Sequence, residues 1–233
     1  MSSRSPATLA ASAGCALTLA LLAGCGGAAQ EGIEAKTPAQ ILAASQVAAE
    51  AAGSVHVAGA ILNGGSPITL DLSLLAGGGA SGRLSQNGVA FEVIRTGNVI
   101  YLKGSEALYR QLAGPSTARL LAGRWVKVPV DGKNFQSLAA LTELRTLVAT
   151  TFANHGVLEK GSLTTIDGQS VIAIAERGGD GTIYVATTGL PYPVQVVGGG
   201  ASSGAVAFGR WNGPVPLTPP TGAIEIGALG ARR

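Results

Sequence analysis

Ile68, Leu70, Leu72 and Leu74 alternate with Thr69, Asp71 and Ser73. This is the period of a strand with one buried and one wet face. The same rhythm fills most of the chain. Ser54–Leu62 places Val55, Val57 and Ile61 at period two. Gly82–Gln86 and Val89–Arg95 flank Asn87-Gly88, and Leu158–Ile166 and Gln169–Arg177 flank Asp167-Gly168. Both dipeptides are strong two-residue hairpin signals. Val99–Lys103, Arg124–Pro129, Thr182–Thr188, Pro193–Val197 and Gly204–Trp211 bring the count to about eleven strands in antiparallel order, with a further short strand over Ala223–Ile226. An open meander of that many strands must curl or close.

Helical signals interrupt this rhythm. Thr37 is an N-cap with Pro38 at the first helical position, and Gln40 completes a Thr-x-x-Gln capping box. The Ala-rich run from Ala39 to Ala52 follows, with Gly53 as its stop. Short helices are expected over Ser105–Ala113 and Ser116–Ala122, and one longer helical region over Phe135–Asn154, ended by Gly156. In that region Leu141, Leu144, Leu147, Val148 and Phe152 form an apolar stripe. Helices placed between two blocks of strands suit a curved antiparallel sheet wrapped around them, an α+β architecture.

Charged residues are 12% of the chain, against 46% apolar, and 16 Lys and Arg face 13 Asp and Glu. The charge share is about half the usual one, and no basic stripe argues for nucleic acid. A soluble domain so poor in charge must hide much apolar surface or leave some of it lining a cavity. The N-terminus accounts for part of the apolar content. Arg4 precedes an apolar stretch, Leu9 to Ala23, that closes on Leu22-Ala23-Gly24-Cys25. It has the parts of a secretory signal and is too short and Gly-rich to span a membrane well. The final four residues resemble the bacterial lipobox. That resemblance implies a signal peptide over residues 1–24, a diacylglyceryl thioether on Cys25, and a fatty acyl group such as palmitate on the new amino terminus. Residues 25–36 then form a lipidated tether and 37–233 a single domain. Cys15 leaves with the signal, so the mature fold has neither a disulfide nor thiol chemistry.

The order of several short segments is more specific. Val99-Ile100-Tyr101-Leu102-Lys103 precedes Gly123-Arg124-Trp125-Val126-Lys127-Val128-Pro129. Later come Ile183-Tyr184-Val185-Ala186-Thr187-Thr188-Gly189-Leu190-Pro191-Tyr192-Pro193 and Phe208-Gly209-Arg210-Trp211-Asn212. With the lipobox, the series resembles the actinobacterial LppX/LprG-type lipoproteins, related in fold to the periplasmic carrier LolA. The resemblance implies a half-barrel sheet with helices covering its concave face. It further implies an apolar cavity for the acyl chains of lipids or glycolipids, carried or presented in the cell envelope from the extracytoplasmic face of the membrane. An envelope transporter is the kind of protein partner it suggests. It supplies no motif that marks cavity residues.

Candidate linings therefore come from the residues themselves. Acyl chains have no hydrogen-bonding groups, so they need a large dry concavity. The faces Ile68/Leu70/Leu72/Leu74 and Val89/Phe91/Val93 offer one wall, and Leu144/Leu147/Val148/Phe152 the other. The same residues suit a solid core, although an aromatic content of only 4% favours hollowness. A second reading keeps the half-barrel with a closed core, as a non-enzymatic lipoprotein whose edges or loops dock an envelope or export partner.

Nothing in the sequence builds a catalytic centre. Gly200-Ala201-Ser202-Ser203-Gly204 matches G-x-S-x-G, but it lies in a turn between strands and no His follows it. His56 and His155 lack clustered carboxylates or Cys, so no metal site is expected. Gly178-Gly179-Asp180-Gly181 lacks the Lys-Ser/Thr of a phosphate loop. Asp71, Glu92 and Asp131 read as separate solvated charges, and Trp125 and Trp211 as core or sheet-edge anchors. The expectation is a non-enzyme with no cofactor other than a bound lipid.

Overall fold

The computed structural model describes residues 32–63, 65–132, 135–153, 155–179, 181–200 and 203–225. The signal segment and Cys25 lie outside them, as do Asn154, Ala201, Ser202 and Ile226. A 3-10 turn at Ile33–Ala35 leads into α1 (Pro38–Glu50). Five strands follow in a meander: β1 (Ser54–Asn63), β2 (Ser66–Leu75), β3 (Gly79–Gln86), β4 (Val89–Thr96) and β5 (Val99–Gly104). Then come α2 (Glu106–Ala113), α3 (Pro115–Leu121), β6 (Val126–Pro129), α4 (Gln136–Leu141) and α5 (Leu144–Phe152). The last block is β7 (Leu158–Ile166), β8 (Gln169–Glu176), β9 (Thr182–Ala186), β10 (Pro193–Gly198), β11 (Gly204–Gly209) and β12 (Ile224–Glu225).

All twelve strands form one open, curved sheet in the order β12-β6-β5-β4-β3-β2-β1-β11-β10-β9-β8-β7. β1 is the seam: one meander runs outward from it through β2, and the other returns to it through β11. Every pairing is antiparallel except that of β12 with β6, which is parallel. The hairpin signals have a direct counterpart in the backbone. Asn87 and Gly88 have φ of 50° and 78°, and Asp167 and Gly168 of 49° and 81°. Positive φ at both central residues matches the right-handed twist of the flanking strands.

The capping box at α1 is complete. Thr37 Oγ1 accepts from the Gln40 N–H at 3.3 Å, and Gln40 Oε1 from the Thr37 N–H at 3.0 Å. The helix ends at Glu50 with Ala51 in the right-handed region, so Gly53 is not its stop.

The single helical region expected over Phe135–Asn154 is broken in two. Arg95, reaching in from β4, donates from Nη1 to the Ala139 carbonyl at 2.9 Å. In an unbroken helix that carbonyl would accept from Glu143. Thr142 Oγ1 binds the Leu138 carbonyl at 2.7 Å, and Glu143 becomes the N-cap of α5, its carboxylate accepting from the Arg145 N–H. A buried arginine from a distant strand thus decides where the helix stops, which local periodicity cannot reveal.

The inward face of the sheet carries the core. Val55, Val57, Leu70, Leu72, Leu74, Val93, Ile100 and Leu102 are buried together with Leu42 and Ala49 of α1 and Leu144, Val148 and Phe152 of α5. Tyr109 of α2 is fully buried, its hydroxyl 2.7 Å from the Arg124 carbonyl and 2.9 Å from that of Leu102. It ties α2 to β5 and to the residues leading into β6. Burial pushes this phenol from 10.0 up to about 12. The unfolded chain ionises first, so the stabilisation is complete below pH 10 and is lost as pH rises through the folded value. Between those limits the wild type should lose about 2 kcal/mol more stability than Tyr109→Phe. Urea unfolding of both proteins at pH 9 and pH 12 measures the difference.

Candidate functional site

The inward row of side chains is not continuous, and the gaps are glycines. Gly59 sits opposite Leu70, Gly82 opposite Leu72 and Val93, and Gly204 opposite Ile61 and Gly198. At each of these positions the sheet sends no side chain toward the helices. At all three the backbone allows no alternative: Gly59 has φ of +158°, and an added Cβ there would overlap the Ala205 carbonyl oxygen. Gly82 has φ of +153° and Gly204 of +136°. An added Cβ would overlap the Asp71 carbonyl oxygen at Gly82 and the Ala60 carbonyl oxygen at Gly204. The strands approach closely there, and the neighbouring backbone occupies the place a Cβ would take.

An apolar cavity of about 240 Å³ lies between the centre of the sheet and α5. Val57, Leu70, Leu72, Val206 and Phe208 form its floor, and Leu141, Leu147 and Thr151 its roof. The Thr151 hydroxyl donates to the Leu147 carbonyl of its own helix at 2.8 Å, so it offers no donor to the cavity. A wider groove of about 560 Å³ adjoins it and shares Ile61, Leu141 and Leu147. Ile68, Leu84 and Phe91 line this groove on the sheet side, with Ser85 and Gln86 at its rim. A third space of about 140 Å³ lies on the other side, sharing Thr151 and Val196 with the central cavity. It is bordered by Leu42, Leu158, Ile174 and Ile183, and by His155 and Glu176. The three spaces follow one another beneath α5, with Leu147 at one junction and Thr151 at the other.

The candidate lining residues divide accordingly. Leu70, Leu72 and Leu147 border the central cavity, and Ile68, Phe91 and Leu147 the wider groove. Leu74, Val93, Leu144, Val148 and Phe152 are buried in the packed part of the core, with Val89 half-buried against it. Sequence reasoning missed Val57, Ile61, Leu141, Val196, Val206 and Phe208. Their apolar identity at inward positions was the only signal, and residues of the packed core share it.

Polar residues singled out from the sequence lie elsewhere. His56 Nε2 is 2.8 Å from Asp71 Oδ1 on the outer face, and Glu92 pairs with Lys103 at 3.7 Å. Asp71 and Glu92 thus have different partners on the solvated side of the sheet and form no pair with each other. Trp211 stacks on Tyr192 at 4.5 Å between ring centroids, with Phe208 next to it. Among the described residues there is no group of three His, Cys, Asp or Glu side chains placed to hold a metal ion. None of their helices is long and apolar enough to cross a membrane.

An open antiparallel sheet curled over helices, with an elongated oily space between the layers, defines a half-barrel of the cavity-bearing kind. Two solved structures share that fold. LprF from Mycobacterium bovis superposes with a TM-score of 0.58 at 18% identity, over 79% of this chain and 97% of that one. The lipoprotein LppX from Mycobacterium tuberculosis gives 0.50 at 21% identity, over 78% of this chain and 100% of that one. No protein-family model and no curated protein matches the sequence.

Proposed function

We propose that this protein is a membrane-anchored lipoprotein that holds the acyl chain of a lipid or glycolipid beneath α5 and carries or presents it in the cell envelope. The observation that carries the reading is the central cavity. At about 240 Å³ it exceeds the roughly 150 Å³ at which an engineered apolar cavity stays dry and takes up benzene. Its lining is aliphatic and aromatic carbon apart from Gly198 and Thr151. Water gains nothing there, whereas a hydrocarbon chain gains about 0.8 kcal/mol per buried methylene. The adjoining spaces extend the path in both directions, as a long flexible chain requires.

The half-barrel shared with LppX, itself a lipoprotein, supports this reading. So does Leu-Ala-Gly-Cys at the end of an apolar leader. Acylated Cys25 would hold the domain on the extracytoplasmic face of the membrane. The work is binding rather than covalent chemistry, and an envelope transporter would be the protein that exchanges ligand with it. The test is mass spectrometry of a chain lacking residues 1–24, with Cys25→Ser, purified without detergent. Lipid bearing a long acyl chain should co-purify at close to one per protein. A lipid-free protein that also refuses added lipid would end the proposal.

A further inference from the structure

Beside the acyl groove lies a hollow of opposite character. Its volume is about 550 Å³, and Arg95, Arg145, Asn98, Glu143, Gly77 and Gly78 form most of its wall. Thr146 borders both this hollow and the apolar groove, so one side chain separates polar space from oily space. We propose that the hollow seats the phosphorylated head of an amphiphile whose chain lies in the groove. This rests on the acyl-chain reading above and adds the class of head group.

The charge balance favours an anion: two guanidinium groups face one carboxylate. Arg95 is only 8% exposed. Its five N–H donors meet Gly97 O at 3.0 Å, Ala139 O at 2.9 Å, and Thr142 Oγ1 and Glu143 Oε2 each at 3.5 Å. The last two contacts are at the limit of a hydrogen bond, and one Nη2 hydrogen has no acceptor among the described residues. The wall beside Nη2 is bare by construction. Gly78 has φ of +88°, and a Cβ there would lie 3.3 Å from Arg95 Nη2. Arg145, at the start of α5, is exposed, and among the described residues its guanidinium has no ion-pair partner. Arginine forks match phosphate oxygens in pairs. A space this large takes a phosphate with its attached polyol, where a bare carboxylate would leave most of it to water.

The experiment compares two chain-matched competitors for a pyrene-labelled monoacylglycerol bound to the wild-type chain. They are palmitoyl lysophosphatidic acid and monopalmitoylglycerol, both kept below their micelle thresholds. The phosphorylated competitor should bind about tenfold more tightly at low salt, the size of one charge-assisted contact, and the advantage should shrink in high salt. Arg145→Glu should erase the advantage and leave the affinity for monopalmitoylglycerol within about twofold, because that side chain borders the hollow and not the groove. Equal affinities in the wild type, or a variant that weakens both competitors alike, would overturn the assignment. Inorganic phosphate binding as tightly as lysophosphatidic acid would assign the hollow to a free anion and overturn it too. Failure of the pyrene probe to bind at all would instead sink the acyl-chain reading beneath it.

Discussion

Leu147→Trp should remove acyl-chain binding while leaving the fold in place. Leu147 borders both the central cavity and the wider groove, so an indole there closes the passage between them. Excluding three methylenes at about 0.8 kcal/mol each lowers affinity about fifty-fold. The indole enters space that is already empty, so the usual penalty for overpacking a solid core, about 1–3 kcal/mol, is largely avoided. Tm should therefore stay within about 4 °C of the wild type. Displacement of a fluorescent fatty acid and a thermal melt read the two quantities separately. A large drop in Tm with no change in binding would mean that Leu147 is core rather than gate.

The second large effect concerns the close approach of β2 and β3 at Gly82. Gly82→Ala should destabilise the domain by about 3 kcal/mol or more, because two penalties coincide. The backbone at φ of +153° belongs to glycine, and the new Cβ would run into the Asp71 carbonyl of the neighbouring strand. Gly88→Ala isolates the first penalty. Gly88 also has positive φ, at +78°, but nothing lies within 4 Å of an added Cβ. That variant should cost only about 1–2 kcal/mol. Urea unfolding of the two side by side gives the difference. Equal midpoints would show that the close approach of β2 and β3 is not what keeps this position bare.

Much of the architecture was legible because it is written at short range. The strand rhythm, the Asn87-Gly88 and Asp167-Gly168 hairpins and the Thr37/Gln40 capping box depend on residues a few positions apart, and each appears where its local chemistry puts it. A period of two also fixes which face of β2 turns inward. Leu70, Leu72 and Leu74 are therefore buried, whereas Asp71 is exposed.

The division of that inward face into filled and empty parts is not local. Leu72 borders a cavity and Leu74, two residues on, does not, although both lie on the same buried face of β2. The break between α4 and α5 likewise depends on Arg95, more than forty residues away in the chain. By itself the sequence determined the kinds of element, their order and the apolar phase of each strand, since these follow from neighbouring residues. Only the tertiary structure decided which apolar residues meet each other and which meet open space, because that depends on the side chain opposite, supplied by another strand.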